Sequence, residues 1–517
     1  MTTPAALRSQ AEALRHAGRA VEAIDLLMQA LALAPTEVDT YLQLGFALQA
    51  LGLHSQAAEA LRTAAMLAPH SVMAQGYLIH AAQKAADWRE FDADLAALRA
   101  ALQASPDDEF GMPFAFVGLP HTRAELKRAA AMASRHVARG LKPLPRRPIR
   151  ARERVRVGYL SADFHAHATA ALMAELLERH DRERFDIRLY SHGPDDGSPM
   201  RRRIVAAAET FVDVAPLSLA ALAERLHADE LDILVDLKGH TAGSRMAALA
   251  CRPAPVQVSW LGFPGTSGAN FIDYVIGDPV VTPLDHAADY SECIAQLPHC
   301  YQPQDGRRMP GNAPARAALG LRDDALVLLG ANAVYKITPP LWAAWMDVLR
   351  RLPAAQLWQL SGGEQADARL RAAAGDLAER IVFAPPVDMD THLARLQVAD
   401  LALDSWPCNG HTTTSDALAA GAPVVTLMND SFPGRVAASI LAAARLDACI
   451  TQDAGDYVER ICALGRDAAA RQSLRDRIAA RPAGLYDMAR FARDLESLYA
   501  RMWDRALAGQ PPAALAA

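Results

Sequence analysis

The sequence predicts two doubly wound α/β lobes, Rossmann-like in pattern, preceded by an all-α superhelix of paired helices. Three observations carry that prediction: a 34-residue repeat in the first third, a change after Val155 to short β-branched runs alternating with helical stretches, and a Pro/Gly-rich break at residues 303–314. Alternating strands and helices imply parallel sheets covered on both faces. Length agrees, because 517 residues exceed what one core usually supports.

In the repeat, Ala23, Leu27, Ala30 and Pro35 recur as Ala57, Leu61, Ala64 and Pro69, each displaced by 34 residues. That period is the tetratricopeptide (TPR) one, in which each unit is a helical hairpin. Tyr41, Leu44, Gly45 and Leu48 mark the first helix of the clearer copy, and the small residues let paired helices approach. A degenerate third copy is expected from Ser71 to Pro106, through Leu78, Trp88, Phe91 and Leu95. Stacked hairpins leave a concave groove suited to a peptide, although the same array would also serve as a spacer or a contact between copies.

Composition narrows the function classes. With 51% hydrophobic and 22% charged residues the chain is an ordinary globular one, and a formal charge of -6 is too mild to predict nucleic-acid or membrane binding. Six scattered cysteines show neither CxxC pairs nor ligand-like Cys/His spacing, so neither a zinc site nor a disulfide framework is expected. The first residues have no apolar signal region and no apolar run reaches ~20 residues, so a cytoplasmic protein is the simplest expectation.

The divisions expected are repeats over 1–120, a helical linker over 121–153 with a helix from Thr122 to His136, a first lobe over 154–305, a second over 315–505 with returning C-terminal helices, and a tail over 506–517. The basic run from Lys142 to Arg156 reads as a solvated linker. In open parallel sheets ligands lie beyond the carboxyl ends of strands. There the first lobe offers Asp163 and His167, Lys238 and His240, and GFPGTSG; the second offers Asn332, Tyr335, Lys336 and NGHTTTSD.

The last segment is the richest. Gly410 permits a tight turn, Thr412 to Thr414 open the helix that follows, and free backbone N–H groups at a helix start suit a pyrophosphate. Hydroxyls of Thr412 and Thr413 add donors, His411 approaches the same anion, and Asp416 is placed for a ribose hydroxyl. A plain threonine N-cap would explain one hydroxyl but not this set. Lys336, after a buried strand, is placed to neutralise a diphosphate leaving group. No GxGxxG in the right place, no GxxxxGK[ST] and no GxSxG is present, which argues against hydride transfer, P-loop and serine-hydrolase chemistry.

RVGYLSADF, RPAPVQVSWLGFPGTSG, YKITPPLW and LDSWPCNGHTTTSDALAAGAPVVT, in this order behind TPR hairpins, closely resemble the motifs of the O-GlcNAc transferase family over residues 154–503. The resemblance implies a GT-B architecture with the active site between two Rossmann-like lobes. It implies inverting transfer of N-acetylglucosamine from UDP-GlcNAc to Ser/Thr hydroxyls of proteins or peptides, with no metal or other cofactor. Residue by residue, it implies that Lys336 contacts the donor diphosphate, that His411, Thr412 and Thr413 hold the phosphates, and that Asp416 holds the ribose. Tyr335, His392 and Arg395 correspond to residues beside the nucleotide, and Leu261, Gly262 and Thr169 to the donor-binding pocket. His136, His167 and Asp163 match the residues proposed for catalysis; a neutral histidine is a suitable base, and which group takes the proton stays open.

Ala168, Ala171, Ala333 and Met389 stand where animal relatives carry Pro, His, Gln and Lys, so the donor pockets differ from theirs. YKIT and the triple threonine also resemble the SPINDLY-class O-fucosyltransferases, which keeps GDP-fucose or another nucleotide sugar as the same-fold alternative. A nonenzymatic TPR scaffold that senses a nucleotide sugar is the alternative of a different class.

Overall fold

The computed structural model describes residues 3–106 and 109–517. Its amino-terminal third forms three hairpins, α1 (Pro4–His16) with α2 (Ala20–Leu33), α3 (Val38–Ala50) with α4 (His54–Leu67), and α5 (Val72–Lys84) with α6 (Phe91–Ala104). The repeat positions are what they bury: Ala23, Ala30, Ala57, Leu61 and Ala64 are each 0% exposed. A Cβ on Gly45 would lie 2.6 Å from Leu61 Cγ, so only glycine lets α3 and α4 close at that level. The short α7 (Pro113–Val117) leads to α8 (Arg123–Ala138), which opens on a reciprocal cap between Thr122 and Glu125, as the T-x-x-E spacing dictates.

The first lobe is a seven-stranded parallel sheet in the order β3-β2-β1-β4-β5-β6-β7. Its strands are β1 (Val155–Ser161), β2 (Phe185–Ser191), β3 (Thr210–Asp213), β4 (Ile233–Asp236), β5 (Val256–Ser259), β6 (Tyr274–Gly277) and β7 (Cys293–Gln296). The second is a six-stranded sheet in the order β10-β9-β8-β11-β12-β13, built from β8 (Leu326–Gly330), β9 (Ala355–Leu360), β10 (Ile381–Ala384), β11 (Leu401–Leu403), β12 (Val424–Leu427) and β13 (Ile450–Thr451). Chain direction across each sheet reverses at one place, between β1 and β4 and between β8 and β11. Those two reversals open the crevices where such sheets bind ligands.

Two connecting segments are tied into the fold. The Pro/Gly-rich break is no free connector, because Gln302 and Gln304 are buried and both amides donate to Ser415 Oγ at 2.7 Å. Residues 506–517 are no free tail either: Leu515 pairs with Ala295 alongside β7, accepting from Gln296 N–H at 2.8 Å. The C-terminal helix Met488–Leu507 crosses to the first lobe, where buried Glu496 meets His180 Nδ1 at 2.9 Å, and Tyr499 donates to Tyr159 Oη at 3.1 Å. It packs there against α9 (Ala168–Arg179), the helix that follows β1.

The helical region grips both lobes. Ser134 on α8 donates to Ser267 O at 2.5 Å in the first, and Arg369 of the second donates to Ser55 Oγ at 2.8 Å and Ala85 O at 2.9 Å. Among the described residues no helix is long and apolar enough to cross a membrane. Leu61→Ala should cost about 2–5 kcal/mol of unfolding free energy by leaving a cavity between α3 and α4. Urea denaturation of the full chain reads it, and a loss below about 1 kcal/mol would mean the hairpins are not packed through this residue.

Candidate functional site

The second lobe's crevice is organised around Asp404, at the carboxyl end of β11 and 2% exposed. Its Oδ1 accepts the N–H of Gly410 at 2.5 Å and of Ser405 at 2.9 Å, and its Oδ2 accepts the Thr426 hydroxyl at 2.6 Å. Burial pushes this carboxyl up to about 6, against those hydrogen bonds and the nearby Lys336. A Cβ on Gly410 would meet Thr413 Oγ1 at 2.5 Å and Thr414 Oγ1 at 2.7 Å. Glycine is therefore needed there for room, and its φ is not positive.

The chain leaving this turn starts the helix Thr412–Ala419, with His411 at the N-cap making no side-chain capping bond. The cap is thus not a threonine, and the first-turn N–H groups are not occupied by one. Lys336 arrives from the loop after β8 and donates to Asn409 O at 2.6 Å. Burial and Lys336 push the His411 imidazole down to about 3, and its Nε2 lies 3.3 Å from Pro433 O. One expected donor is already engaged: the Thr413 hydroxyl donates to Asn332 Oδ1 at 2.9 Å.

Beside this helix a cavity of about 260 Å³ is lined by Arg308, Leu360, Met389, His392, Arg395 and Asp416, among others. Arg395 is 3% exposed, donates to Pro385 O at 2.7 Å and lies 3.1 Å from His392 Nδ1. Asp416 is not free, as Arg308 donates to its Oδ1 at 2.8 Å. Arg308 was absent from the sequence expectations, since nothing local distinguishes it in GRRMPG. Tyr335 lies against the helical region. Its ring packs 5.4 Å from that of His80 and 6.0 Å from that of Phe114, and its carbonyl accepts from Gln83, so it faces the third hairpin.

A larger cleft of about 810 Å³ lies between the helical region and the first lobe, lined by His80, Lys84, Phe114, Asp163, His167 and Lys238 among others. Thr169 and Gly262 also line it. Gly262 has no space for a side chain, since a Cβ there would fall 2.3 Å from Leu237 O, and Leu261 before it holds a φ of +67°. Such a left-handed leucine is strained and is retained where surrounding structure fixes it. Asp163 is neither free nor exposed: Lys238 Nζ lies 2.8 and 2.9 Å from its two oxygens. His167 caps α9, accepting the Thr169 N–H at Nδ1 over 3.1 Å. His136 is exposed near the end of α8, its ring edge-on to that of Phe110 at 5.6 Å. Among the described residues no group of three or more His, Cys, Asp or Glu is placed to hold a metal ion.

Three half-buried histidines should make the fold acid-sensitive. Burial holds His80 and His411 down to about 3 and His240 to about 4, against roughly 6.5 in the unfolded chain. Unfolding then takes up protons that the fold refuses, so their stability contribution is complete above about pH 6.5 and is lost as pH falls towards those folded values. Stability measured by urea denaturation should fall between about pH 6.5 and about 4. His80→Phe, which keeps a ring against Tyr335, should flatten that slope by about 1.4 kcal/mol per pH unit. An unchanged slope would show that His80 protonates without unfolding.

The sequence profile described as glycosyl transferase family 41 matches residues 142–313 and 306–495. The chain is 36% identical over 372 residues to a probable UDP-N-acetylglucosamine–peptide N-acetylglucosaminyltransferase, SEC, of Arabidopsis thaliana, covering 70% of this chain and 38% of that protein. It is 28% identical to the UDP-N-acetylglucosamine–peptide N-acetylglucosaminyltransferase of Caenorhabditis elegans, over 69% of this chain and 41% of that one. It therefore spans about two fifths of the length of these relatives. A mutant of the Thermobaculum terrenum O-GlcNAc transferase matches in structure with a TM-score of 0.82 at 28% identity, covering 98% of both chains. Two parallel-sheet lobes with crevices at their chain reversals, a helical region against both, and a profile match across the lobes lead to one assignment: this chain belongs to glycosyl transferase family 41.

Proposed function

We propose that the chain is an inverting transferase that moves N-acetylglucosamine from UDP-GlcNAc to serine or threonine hydroxyls of proteins or peptides, without a metal. The observation that carries the proposal is the convergence of Lys336 with the uncapped start of the helix Thr412–Ala419. A cation and free N–H groups at one point suit a departing diphosphate. The names of the relatives supply the donor and the acceptor class.

In this reading the nucleoside enters the cavity of His392, Arg395 and Asp416, and its ribose competes with or joins Arg308 on the Asp416 carboxylate. The diphosphate exchanges the Asn409 carbonyl for itself at Lys336. The donor's sugar and the acceptor meet in the cleft beside the first lobe, where Thr169 and Gly262 line the wall, with the acceptor peptide running toward the repeat groove. Its hydroxyl oxygen attacks the anomeric carbon as the bond to the diphosphate oxygen breaks, the hydroxyl proton passing to a phosphate oxygen of the donor, and the remaining negative charge on the diphosphate is met by Lys336 and the helix start.

Lys336→Ala should cost about 3 kcal/mol at the transition state, roughly a hundredfold in rate. Transfer to a peptide and hydrolysis of UDP-GlcNAc both read it; wild-type turnover would remove Lys336 from the leaving-group site. Calorimetric titration with UDP, UDP-GlcNAc, GDP and GDP-fucose tests the donor. Saturable binding of the uridine nucleotides alone is expected, whereas preference for the guanosine pair would replace the reaction with fucosyl transfer. Binding without turnover would make the chain a sensor.

A further inference from the structure

At the first lobe's reversal, β1 and β4 deliver Asp163 and Lys238 side by side. Both are buried, 6% and 5% exposed, and the ammonium sits between the two carboxylate oxygens. Asp163 Oδ2 also accepts the Thr169 hydroxyl at 3.4 Å and stands 3.6 Å from His167 Nδ1, too far for a hydrogen bond. The nearer partner of Nδ1 is the backbone N–H of Thr169 at 3.1 Å. An amide N–H only donates, so Nδ1 must carry a lone pair and the neutral ring must carry its proton on Nε2.

We propose that Lys238 is a positioning residue that, through Asp163, keeps the bare nitrogen of His167 on α9 and its N–H toward the cleft, so that His167 meets substrate as a hydrogen-bond donor and not as the base. The inference rests on reading this cleft as the acceptor side. Its physical core is a competition. A carboxylate 3.6 Å from Nδ1 would draw a proton onto that atom and break the cap of α9 unless its charge were already neutralised. Lys238 neutralises it. Burial holds the His167 ring below its ordinary range, Asp163 working against this and Lys238 and His165 with it. The groups that face the ring are thus the carboxylate of Asp163, the ammonium of Lys238 and the imidazole of His165, the last itself 3.7 Å from Asp196.

Nitrogen-15 NMR of the histidine rings in the full chain, with the His167 signal assigned from His167→Asn, tests this without relying on transfer activity. The wild type should show a bare Nδ1 and a protonated Nε2 near neutral pH. In Lys238→Met the proton should move to Nδ1 and the His167 titration should rise by roughly one to three pH units. Lys238→Arg should retain the wild-type ring state. Adding Asp163→Asn to Lys238→Met should restore it, which also covers loss of folding from an unpaired buried carboxylate. Asp163→Asn alone should move the titration down.

A wild-type ring protonated at Nδ1 would overturn the proposal, as would a Lys238→Met ring unchanged in tautomer and titration. So would a double variant that stays shifted. Failure of the donor assignment would appear instead in the nucleotide titrations, with the ring state as expected.

Discussion

Asp404 is where the second lobe commits energy to function. A carboxylate at 2% exposure is tolerable only if its oxygens are filled, and here the donors are two backbone N–H groups, the Thr426 hydroxyl and, at 3.4 Å, the Asn332 amide. Filling them bends residues 404–411 into one path. That path presents Asn409 O to Lys336 and starts a helix at Thr412 without a side-chain cap. Burial lifts Asp404 only to about 6, so it is charged near neutrality and holds Lys336 as its ammonium. Lys336 is itself kept above its ordinary value: burial opposes the charge, and Cys408, Tyr335 and Asp404 outweigh burial. The crevice is thereby set before any anion arrives, which is the condition for electrostatic stabilisation of a leaving group.

The two lobes share one pattern of reversal and use it differently. At β8 and β11 the reversal gathers groups that stabilise negative charge, whereas at β1 and β4 it gathers Asp163, Lys238 and His167, a paired and largely self-neutralised set. The helical region completes both. Its α5 supplies Gln83 to the carbonyl of Tyr335, next to Lys336, and Arg369 of the second lobe returns the contact at Ser55 and Ala85. The repeats are therefore part of the walls that hold the loops after the strands of the second lobe, beyond any service as a peptide groove.

Much of this was legible in sequence because it is local. The 34-residue displacement of Ala23, Leu27 and Ala30 onto Ala57, Leu61 and Ala64 named buried positions directly, and strand ends named the loops that line both crevices. Pairings across the fold were not legible. Arg308 on Asp416, Lys238 on Asp163 and Thr413 on Asn332 join residues 108, 75 and 81 apart, and no period or spacing reports such contacts. The same limit explains Tyr335, whose neighbours His80 and Phe114 come from the helical region. It also explains Leu515, which gains a partner only because β7 ends its sheet with an open edge. Strands β7 and β13 carry no strand signal of their own, as Cys293–Gln296 and Ile450–Thr451 are too short to show alternation.

The central claim is that the diphosphate is held where Lys336 meets the helix start, and a crystal structure of the full chain with UDP tests it most directly. The account predicts phosphate oxygens within hydrogen-bonding distance of Lys336 Nζ and of the backbone N–H groups of Thr412 and Thr413, with the nucleoside in the cavity of His392, Arg395 and Asp416. A diphosphate bound in the cleft beside Asp163 and Lys238, with the start of the helix empty, would contradict it.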